Sequence, residues 1–223
     1  MNKPNTELQN TGALKIPEGT KIKWKISTSE TDTVAFKFDN KNITPTIKVD
    51  NSFHLKKTVR ESSVYEIILS NQHSKNTAPI KYQIDVVKDQ LPNIQFKQYS
   101  GTLLYKYLLI GGNVSDDYGL TRFSVYYRNA NKQNSFKKQR IPLIKNQITQ
   151  EFFYEIKLDS LLIEQGEKLE YYLAVWDNDG VNGPKLFKTN KQTYILPNKK
   201  EIEKQLNEQS QKTSTDMSKS SDK

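Results

Sequence analysis

The sequence predicts an all-β protein, and three observations support this prediction. Apolar residues recur at every second position in most of the chain, as in Ile22-Lys23-Trp24-Lys25-Ile26. This period is typical of strands with one face on a core and the other in water. Clusters of Gly, Pro, Asn and Asp, which favour turns, separate the alternating stretches. Aromatic residues make up 10% of the 223 residues, so the chain is expected to fold over most of its length.

In chain order, the alternating stretches form two groups of seven predicted strands. The first group covers residues 12–16, 20–28, 33–40, 45–50, 53–59, 63–70 and 79–88, and the second covers 93–99, 103–114, 120–129, 136–144, 147–158, 167–177 and 185–196. Residues 65–69, 103–110 and 171–176 are apolar on both faces, which predicts central strands. Leu161-Leu162-Ile163 breaks the alternation and predicts one helical turn.

Seven short strands with regular turns are typical of an immunoglobulin-like β-sandwich. Each group ends in a Tyr-rich strand, a polar loop, a last strand and a proline, Pro92 or Pro197, so the two groups repeat one plan. We therefore predict a flexible N-terminus (1–11), a first sandwich (12–90), a second sandwich (91–197) and a tail (198–223). Trp24 and Trp176 are expected to fill the two cores.

The tail differs from the two predicted sandwiches. Ile202 and Leu206 stand four residues apart among Lys and Glu, which predicts the start of a helix. Beyond Gln209 the chain is polar and is expected to be disordered. The helix either continues in a longer parent protein or frays at this end.

The positive charge does not indicate a nucleic-acid partner. The formal net charge is +9, with 14 basic and 10 acidic residues in 1–90 and the same numbers in 91–197. Nucleic-acid-binding proteins usually concentrate their charge in a stripe or an arm. Lys21, Lys23 and Lys25 alternate with apolar residues, so they read as the solvent face of a strand. We predict no nucleic-acid partner.

The sequence also offers no catalytic or cofactor-binding residues. It contains no Cys and only two His, His54 and His73, neither in a recognisable nucleophile context. The motifs of serine hydrolases, zinc proteases and phosphate-binding loops are missing. Gly111-Gly112 follows a strand, but no helix pattern follows it. We therefore predict that the protein is not an enzyme.

Two acidic loops in the second predicted sandwich are candidates for binding Ca²⁺. Residues 115–119 and 177–183 are rich in Asp, Asn and Gly, and Ca²⁺ takes six to eight oxygen ligands. The candidate ligands are Asp116, Asp117, Asp177, Asn178 and Asp179. The same residues are also well suited to turns, because Asp and Asn bond to their own backbone and Gly adopts positive φ. Both interpretations stay open.

Tyrosines are concentrated in the second predicted sandwich, where ten of the 12 lie. Tyr126 falls on the predicted solvent face of its strand, beside Arg122 and Arg128. An exposed aromatic row of this kind could stack on sugar rings or contact a protein partner. The alternative is a solvated cross-strand Tyr with a purely structural role.

Residues 65–71, Tyr-Glu-Ile-Ile-Leu-Ser-Asn, resemble the late strand of immunoglobulin-like domains, in which Tyr-x-Cys-x-Ala-x-Asn is common. Ile67 stands where that strand carries the Cys of a core disulfide. Packing is therefore expected to replace the disulfide.

Residues 12–209 resemble part of a family of large, uncharacterised membrane-anchored proteins of Bacteroidetes. The resemblance is carried by residues 11–20 with Trp24, by 87–90 with Pro92, by Asp116-Asp117-Tyr118-Gly119, and by 171–183. It implies transmembrane helices before these sandwiches, a long helical region after them, and a periplasmic or cell-surface location. The family has no established activity, so it implies no catalytic residue.

Together these observations predict a non-enzymatic, exported spacer and protein-interaction module whose protein partner is unknown. The parent chain is expected to be membrane-anchored. The alternative is an adhesion module stiffened by Ca²⁺, or a glycan-binding module.

Overall fold

The computed structural model divides into two compact units, Asn2–Asp89 and Gln90–Lys223, called here the first and second unit. The structure describes residues 5–9, 11–39, 41, 43–76, 78–99, 107–132, 135–144, 147–158, 161–204, 207–208 and 211. The division lies one residue before the predicted boundary of 90. The predicted disordered tail beyond Gln209 lies almost entirely outside the described residues, as do residues 1–4 of the predicted flexible N-terminus.

The first unit contains two sheets. Its strands are β1 (Leu14–Pro17), β2 (Thr20–Ser27), β3 (Thr33–Phe38), β4 (Ile43–Pro45), β5 (Ile47–Val49), β6 (Ser52–Val59), β7 (Ser63–Ser70) and β8 (Lys81–Val87). The larger sheet has the order β1-β8-β7-β3-β4, and the smaller has the order β2-β6-β5. β1 runs parallel to β8, and the other described pairs are antiparallel.

Aromatic rings from both sheets fill the space between them. Phe36 and Tyr65 come from the larger sheet and are almost fully buried. Trp24 comes from the smaller sheet, and its ring centroid lies 5.2 Å from that of Phe36 and 5.7 Å from that of Tyr65. Ile67 packs against the same cluster, where the resembled strand carries its Cys. Ring packing therefore holds this sandwich together without a disulfide.

The second unit also contains two sheets. Its strands are β9 (Asn93–Tyr99), β10 (Tyr107–Ser115), β11 (Leu120–Asn129), β12 (Lys137–Ile141), β13 (Thr149–Lys157), β14 (Lys168–Asp177), β15 (Leu186–Lys188) and β16 (Gln192–Ile195). One sheet has the order β13-β10-β9 and the other β12-β11-β14-β15, with β16 also paired to β14. The described pairs are antiparallel.

The core of the second unit is mainly aliphatic. Leu, Ile and Val side chains supply most of it: Ile94, Leu108, Ile110, Val114, Leu120, Val125, Ile141, Ile156, Leu158, Leu161, Ile163, Leu169, Leu173, Val175 and Leu196. Phe123 and Phe152, from opposite sheets, meet edge to face with centroids 4.7 Å apart. Tyr171 and Tyr194 also belong to this core, and other aromatic side chains of the unit, such as Tyr126, Tyr172 and Trp176, do not.

The structure confirms the all-β sandwich fold. The three stretches predicted to be central correspond to β7, β10 and β14, which each lie between two other strands. Residues 103–106 of the predicted strand 103–114 lie outside the described residues. A short helix includes residues 199–204, and among the described residues no helix is both long and apolar enough to cross a membrane.

Two of the predicted strands were wrong in detail. The predicted strand 45–50 is two strands, because the chain leaves the larger sheet after Pro45 and joins the smaller one at Ile47. The predicted strand 185–196 is also two strands, which pair with different halves of β14. Gly111 and Gly112 lie inside β10, as the predicted strand 103–114 has them, and not in a turn that follows a strand. A Cβ on Gly112 would come within 2.0 Å of the carbonyl oxygen of Gln95, so the close strand approach requires glycine.

Trp176 does not lie in the core of the second unit. Its neighbours Val175 and Asp177 point inward and are fully buried. Because side chains alternate along a strand, Trp176 points outward and is only partly buried. The prediction that both tryptophans fill the cores is right for Trp24 and wrong for Trp176.

Candidate functional site

The two acidic loops meet at one end of the second unit. β11 and β14 are neighbours, with Leu120 paired to Asp177, so the loop before β11 and the loop after β14 are adjacent. The side-chain amide of Asn178 donates a hydrogen bond of 2.7 Å to the carbonyl oxygen of Tyr118. The strand register therefore brings together two groups of candidate residues that lie about 60 positions apart in the sequence. These are Asp116 and Asp117 in the first loop, and Asp177, Asn178 and Asp179 in the second.

Asp116 shapes the first loop. Its Oδ2 accepts hydrogen bonds from the backbone N–H groups of Tyr118 (3.0 Å) and Gly119 (2.8 Å). Gly119 has a φ of +110°, which L side chains rarely adopt, so glycine suits this turn. Asp117 is exposed and accepts a bond of 3.4 Å from the N–H of Gln90. This loop is an Asp-supported turn.

Asp177 and Asp179 organise the second loop around Lys185. Oδ1 of Asp177 accepts bonds from the backbone N–H groups of Asp179 (3.1 Å) and Lys185 (2.7 Å). Oδ1 of Asp179 accepts bonds from the N–H groups of Val181 (2.7 Å) and Asn182 (3.1 Å). The Lys185 Nζ lies 2.9 Å from Oδ2 of Asp179 and 3.5 Å from Oδ2 of Asp177. A lysine ammonium thus neutralises two buried carboxylates.

The two loops shift carboxyl pKa values in opposite directions. Burial raises the pKa of Asp116 above its usual range, the two backbone N–H bonds oppose this rise, and the negative charges of Asp117 and Asp177 add to it. Burial would also raise the pKa of Asp179, but the Lys185 ammonium and the backbone N–H groups lower it to about 2. The Asp179 carboxylate is therefore stabilised in its charged form, and the Asp116 carboxylate is not.

The donor set fits a turn better than it fits a dication. Among the described residues, no three His, Asp or Glu side chains are placed to hold a metal ion. Lys185 already contacts two of the five candidates, and a dication would have to displace its ammonium. One observation favours calcium: Oδ1 of Asp116 and Oδ1 of Asn178 are buried and accept no hydrogen bond from the described residues. Calcium binding by this cluster stays a prediction.

A second feature of this unit lies on the outer side of the β12-β11-β14 sheet. Every second cross-strand pair of β11 and β14 lies on this side, which gives four pairs: Arg122–Trp176, Ser124–Ala174, Tyr126–Tyr172 and Arg128–Glu170. The alternate pairs, which include Phe123–Val175 and Val125–Leu173, belong to the core. One side of the sheet is therefore aliphatic, and the other is aromatic and basic.

A β-bulge at Thr121 sets which side Arg122 occupies. Leu120 pairs with Asp177 and Arg122 with Trp176, so Thr121 is an extra residue in β11. Its hydroxyl donates a hydrogen bond of 2.7 Å to the carbonyl oxygen of Asp177. Leu120 and Phe123 both point inward, which strict alternation would not allow without this extra residue. The bulge thus places Arg122 on the outer side.

The rings and cations on this side are in contact with one another. The set consists of Arg122, Tyr126, Arg128, Phe136, Lys138, Tyr172, Trp176 and Lys191, and we call it the aromatic–cation face. Tyr126 and Tyr172 stack with centroids 4.8 Å apart and an interplanar angle of 2°. The Phe136 ring meets the Tyr172 ring edge on at 5.2 Å.

Each cation of the face lies over at least one ring. The Arg122 guanidinium lies 3.9 Å from the centroid of Trp176, and that of Arg128 lies 4.6 Å from the centroid of Phe136. The Lys138 ammonium lies 5.7 Å from Tyr126 and 5.8 Å from Trp176, and that of Lys191 lies 5.6 Å from Phe136. These distances are within the range of cation–π attraction.

The aromatic–cation face carries excess positive charge. Glu170 forms an ion pair of 2.7 Å with Arg128. Among the described residues, no carboxylate forms an ion pair with Arg122, Lys138 or Lys191. The face is therefore able to attract a partner with negative charge.

The sequence predicted this face only in part. The alternation placed Tyr126, Arg122 and Arg128 on one solvent-facing side, as the structure does. It missed Tyr172 and Trp176, because residues 171–176 are apolar on both sides and do not show which side is outer. It also missed Phe136, which lies in a polar stretch before β12. The cross-strand register was the missing information.

No protein-family model matches this chain, and no curated protein matches it. Among solved structures, it is similar to a bacterial ice-binding adhesin (10% identity, 82% of this chain and 60% of that chain, TM-score 0.46). It is also similar to a candidate carbohydrate-binding protein from Bacteroides uniformis (8% identity, 76% and 90%, TM-score 0.34) and to the FN1–FN3 domains of chicken CNTN1 (12% identity, 87% and 66%, TM-score 0.29). At these identities and TM-scores the likenesses support no inference about function.

Proposed function

We propose that the chain is a non-enzymatic protein-interaction module and spacer within a larger, exported, membrane-anchored bacterial protein. The observation that carries the interaction role is the aromatic–cation face. Its Trp, Tyr and Arg residues are the types that dominate the energetic centres of protein interfaces. Here they lie on an exposed sheet face, although an aliphatic core lies directly beneath it.

The spacer role is supported by the construction of the chain. Each unit has its own hydrophobic core, so each can hold its shape as a building block in a longer protein. The exported, membrane-anchored parent rests on the sequence resemblance to the Bacteroidetes family.

Site-specific photo-crosslinking in cells of the parent organism tests the interaction role. A photoreactive residue at Lys138 should capture one discrete protein, and the R122Q variant should reduce that capture. The matched control carries the photoreactive residue at position 23 instead, in place of Lys23 on the solvent face of β2 in the first unit. Equal capture at both positions, or none at Lys138, would contradict the proposal.

Fractionation of the same cells tests the location. The parent protein should be found in the envelope fraction. Recovery in the cytosol would end the export part of the proposal and leave the crosslinking result to be judged by itself.

Calcium stiffening is the second candidate function. The observation that favours it is the meeting of the two acidic loops, with buried oxygens of Asp116 and Asn178 that accept no hydrogen bond from the described residues. Lys185 opposes it. A calcium titration that separates these effects is given in the Discussion.

A further inference from the structure

Each ring of the aromatic–cation face already has another ring or a cation against it. Tyr126 and Tyr172 each use one ring face for their mutual stack. The Arg122 guanidinium covers one face of Trp176 at 3.9 Å, and Lys138 lies within 6 Å of both Trp176 and Tyr126. Arg128 and Lys191 lie over Phe136. The rings therefore serve to hold and orient cations.

This arrangement separates three classes of ligand. A sugar ring and a nucleic-acid base both need a free, flat ring face on which to stack. A carboxylate needs only N–H donors with positive charge. A guanidinium that stacks flat on an aromatic ring keeps its in-plane N–H groups free, and these match a carboxylate in a two-pronged geometry. The geometry therefore favours carboxylates over stacked rings.

The charges on the face agree with this preference. Arg122, Lys138 and Lys191 form no ion pair among the described residues. By strand register, Arg140 and Lys188 stand on the same side of the sheet, paired with Ser124 and Ala174. Glu170 is an acidic residue on this side of the sheet, and its carboxylate is already paired with Arg128.

The sheet beneath the face limits how a partner can bind. Ser124 and Ala174 are fully buried at its centre, so there is no pocket between the strands for an inserted side chain. The backbones of β11 and β14 already pair with each other across the face. A partner must therefore lie across the side chains and contact the ordered cations.

We propose that the aromatic–cation face binds an acidic segment of a partner protein, whose Asp or Glu side chains pair with Arg122 and Lys138. This inference rests on the proposed interaction role and specifies its chemistry. The bulge at Thr121 contributes by turning Arg122 onto Trp176.

Fluorescence of Trp176 gives a direct test in the full chain. The sequence has two tryptophans, so W24F leaves Trp176 as the single reporter, beside Arg122. Poly-L-glutamate is the probe. Its binding should change the Trp176 emission and should weaken steeply as salt is added. Dextran, a neutral glycan, and oligo-dT at the same concentration of charge should bind at least about tenfold more weakly, because the site offers their sugar rings and bases no free ring face on which to stack.

Two variants separate this site from general attraction to a basic protein. R122Q/K138Q should reduce the affinity for poly-L-glutamate about tenfold or more, and K21Q/K23Q, which removes the same charge from β2, should change it less than twofold. R122K keeps the charge but loses the planar stack, and several-fold weaker binding is expected. Unfolding curves check that each variant is folded.

The inference is overturned if poly-L-glutamate leaves the Trp176 emission unchanged, if the two double variants behave alike, or if dextran or oligo-dT binds as tightly as poly-L-glutamate. Crosslinking from Lys138 in cells together with an unchanged Trp176 would leave the interaction role standing and reject the acidic chemistry. Absence of both signals would reject the two proposals together.

Discussion

The two units differ in where their largest clusters of aromatic side chains lie. In the first unit, Trp24, Phe36 and Tyr65 meet inside the sandwich, where burial drives their packing. In the second unit, aliphatic side chains fill the core, and Tyr126, Tyr172 and Trp176 line an outer face.

This difference shows that the aromatic content of a sandwich does not indicate whether its rings lie in the core or on an outer face. Rings inside the first unit stabilise the fold. Rings outside the second unit bury less area, and they hold guanidinium and ammonium groups in fixed positions. The first arrangement serves stability and the second is suited to recognition.

Removing one phenylalanine from each region should show the largest effect. Phe36 is fully buried, so F36A should lower the free energy of unfolding of the first unit by about 3–5 kcal/mol. Phe136 is partly exposed, so F136A should cost the second unit about 1 kcal/mol.

Each unit contains one tryptophan, so urea unfolding can be followed separately. Trp24 reports on the first unit in a W176F background, and Trp176 reports on the second in a W24F background. Equal losses in the two units would contradict the distinction between an interior and an exterior aromatic cluster.

Lowering the pH should give the second-largest difference in stability between the two units. The pKa of Asp179 is lowered to about 2 from its usual value of 3.8. The charged form is therefore favoured in the folded state. The stability this provides is complete above about pH 4 and is lost as the pH falls towards 2. The loss should be about 2 kcal/mol in the second unit, as reported by Trp176.

The D179N variant should lack this contribution and show a flatter acid profile for the second unit. D117N changes an exposed neighbour and serves as the control. A profile that stays steep in D179N would show that another group dominates the acid response.

Calcium should produce the smallest effect. In the natural chain, the Lys185 ammonium competes for the carboxylates of Asp177 and Asp179, so millimolar CaCl₂ should give little heat in calorimetry. K185Q removes the competing cation. At Ca²⁺ tenfold above its Kd, that variant should gain about 1.4 kcal/mol in stability.

The K185R variant keeps the charge and is the control. Binding by the natural chain as tight as by K185Q would show that Lys185 does not compete. No heat from any of the variants would remove calcium from consideration.

Most of the strands could be predicted from the sequence, because one face of each sheet is wet and the period of two is visible. The prediction failed where a local signal was missing. Residues 45–50 read as one strand, since nothing in Thr46 shows that the chain changes sheets there. Trp176 was placed in the core because its strand is apolar on both sides.

The candidate sites depended on register more than on composition. Asp116 and Asp177 are recognisable as loop residues, but only the pairing of β11 with β14 shows that their loops meet. Lys185 looks like an ordinary surface residue in the sequence, and its contact with two buried carboxylates follows from the fold of the loop. The bulge at Thr121 has no clear sequence signal, although it decides the side on which Arg122 lies.

The parallel pairing of β1 with β8 has a mechanical consequence. β1 begins the sheet structure of the first unit and β8 ends it, and their residues pair from Leu14–Ile84 to Pro17–Val87. A pulling force applied to the two ends of this unit would act along these strands in opposite directions. It would therefore load several backbone hydrogen bonds in shear at once, instead of unzipping them singly. The first unit is built so that tension along the chain must break these bonds together before the sandwich opens.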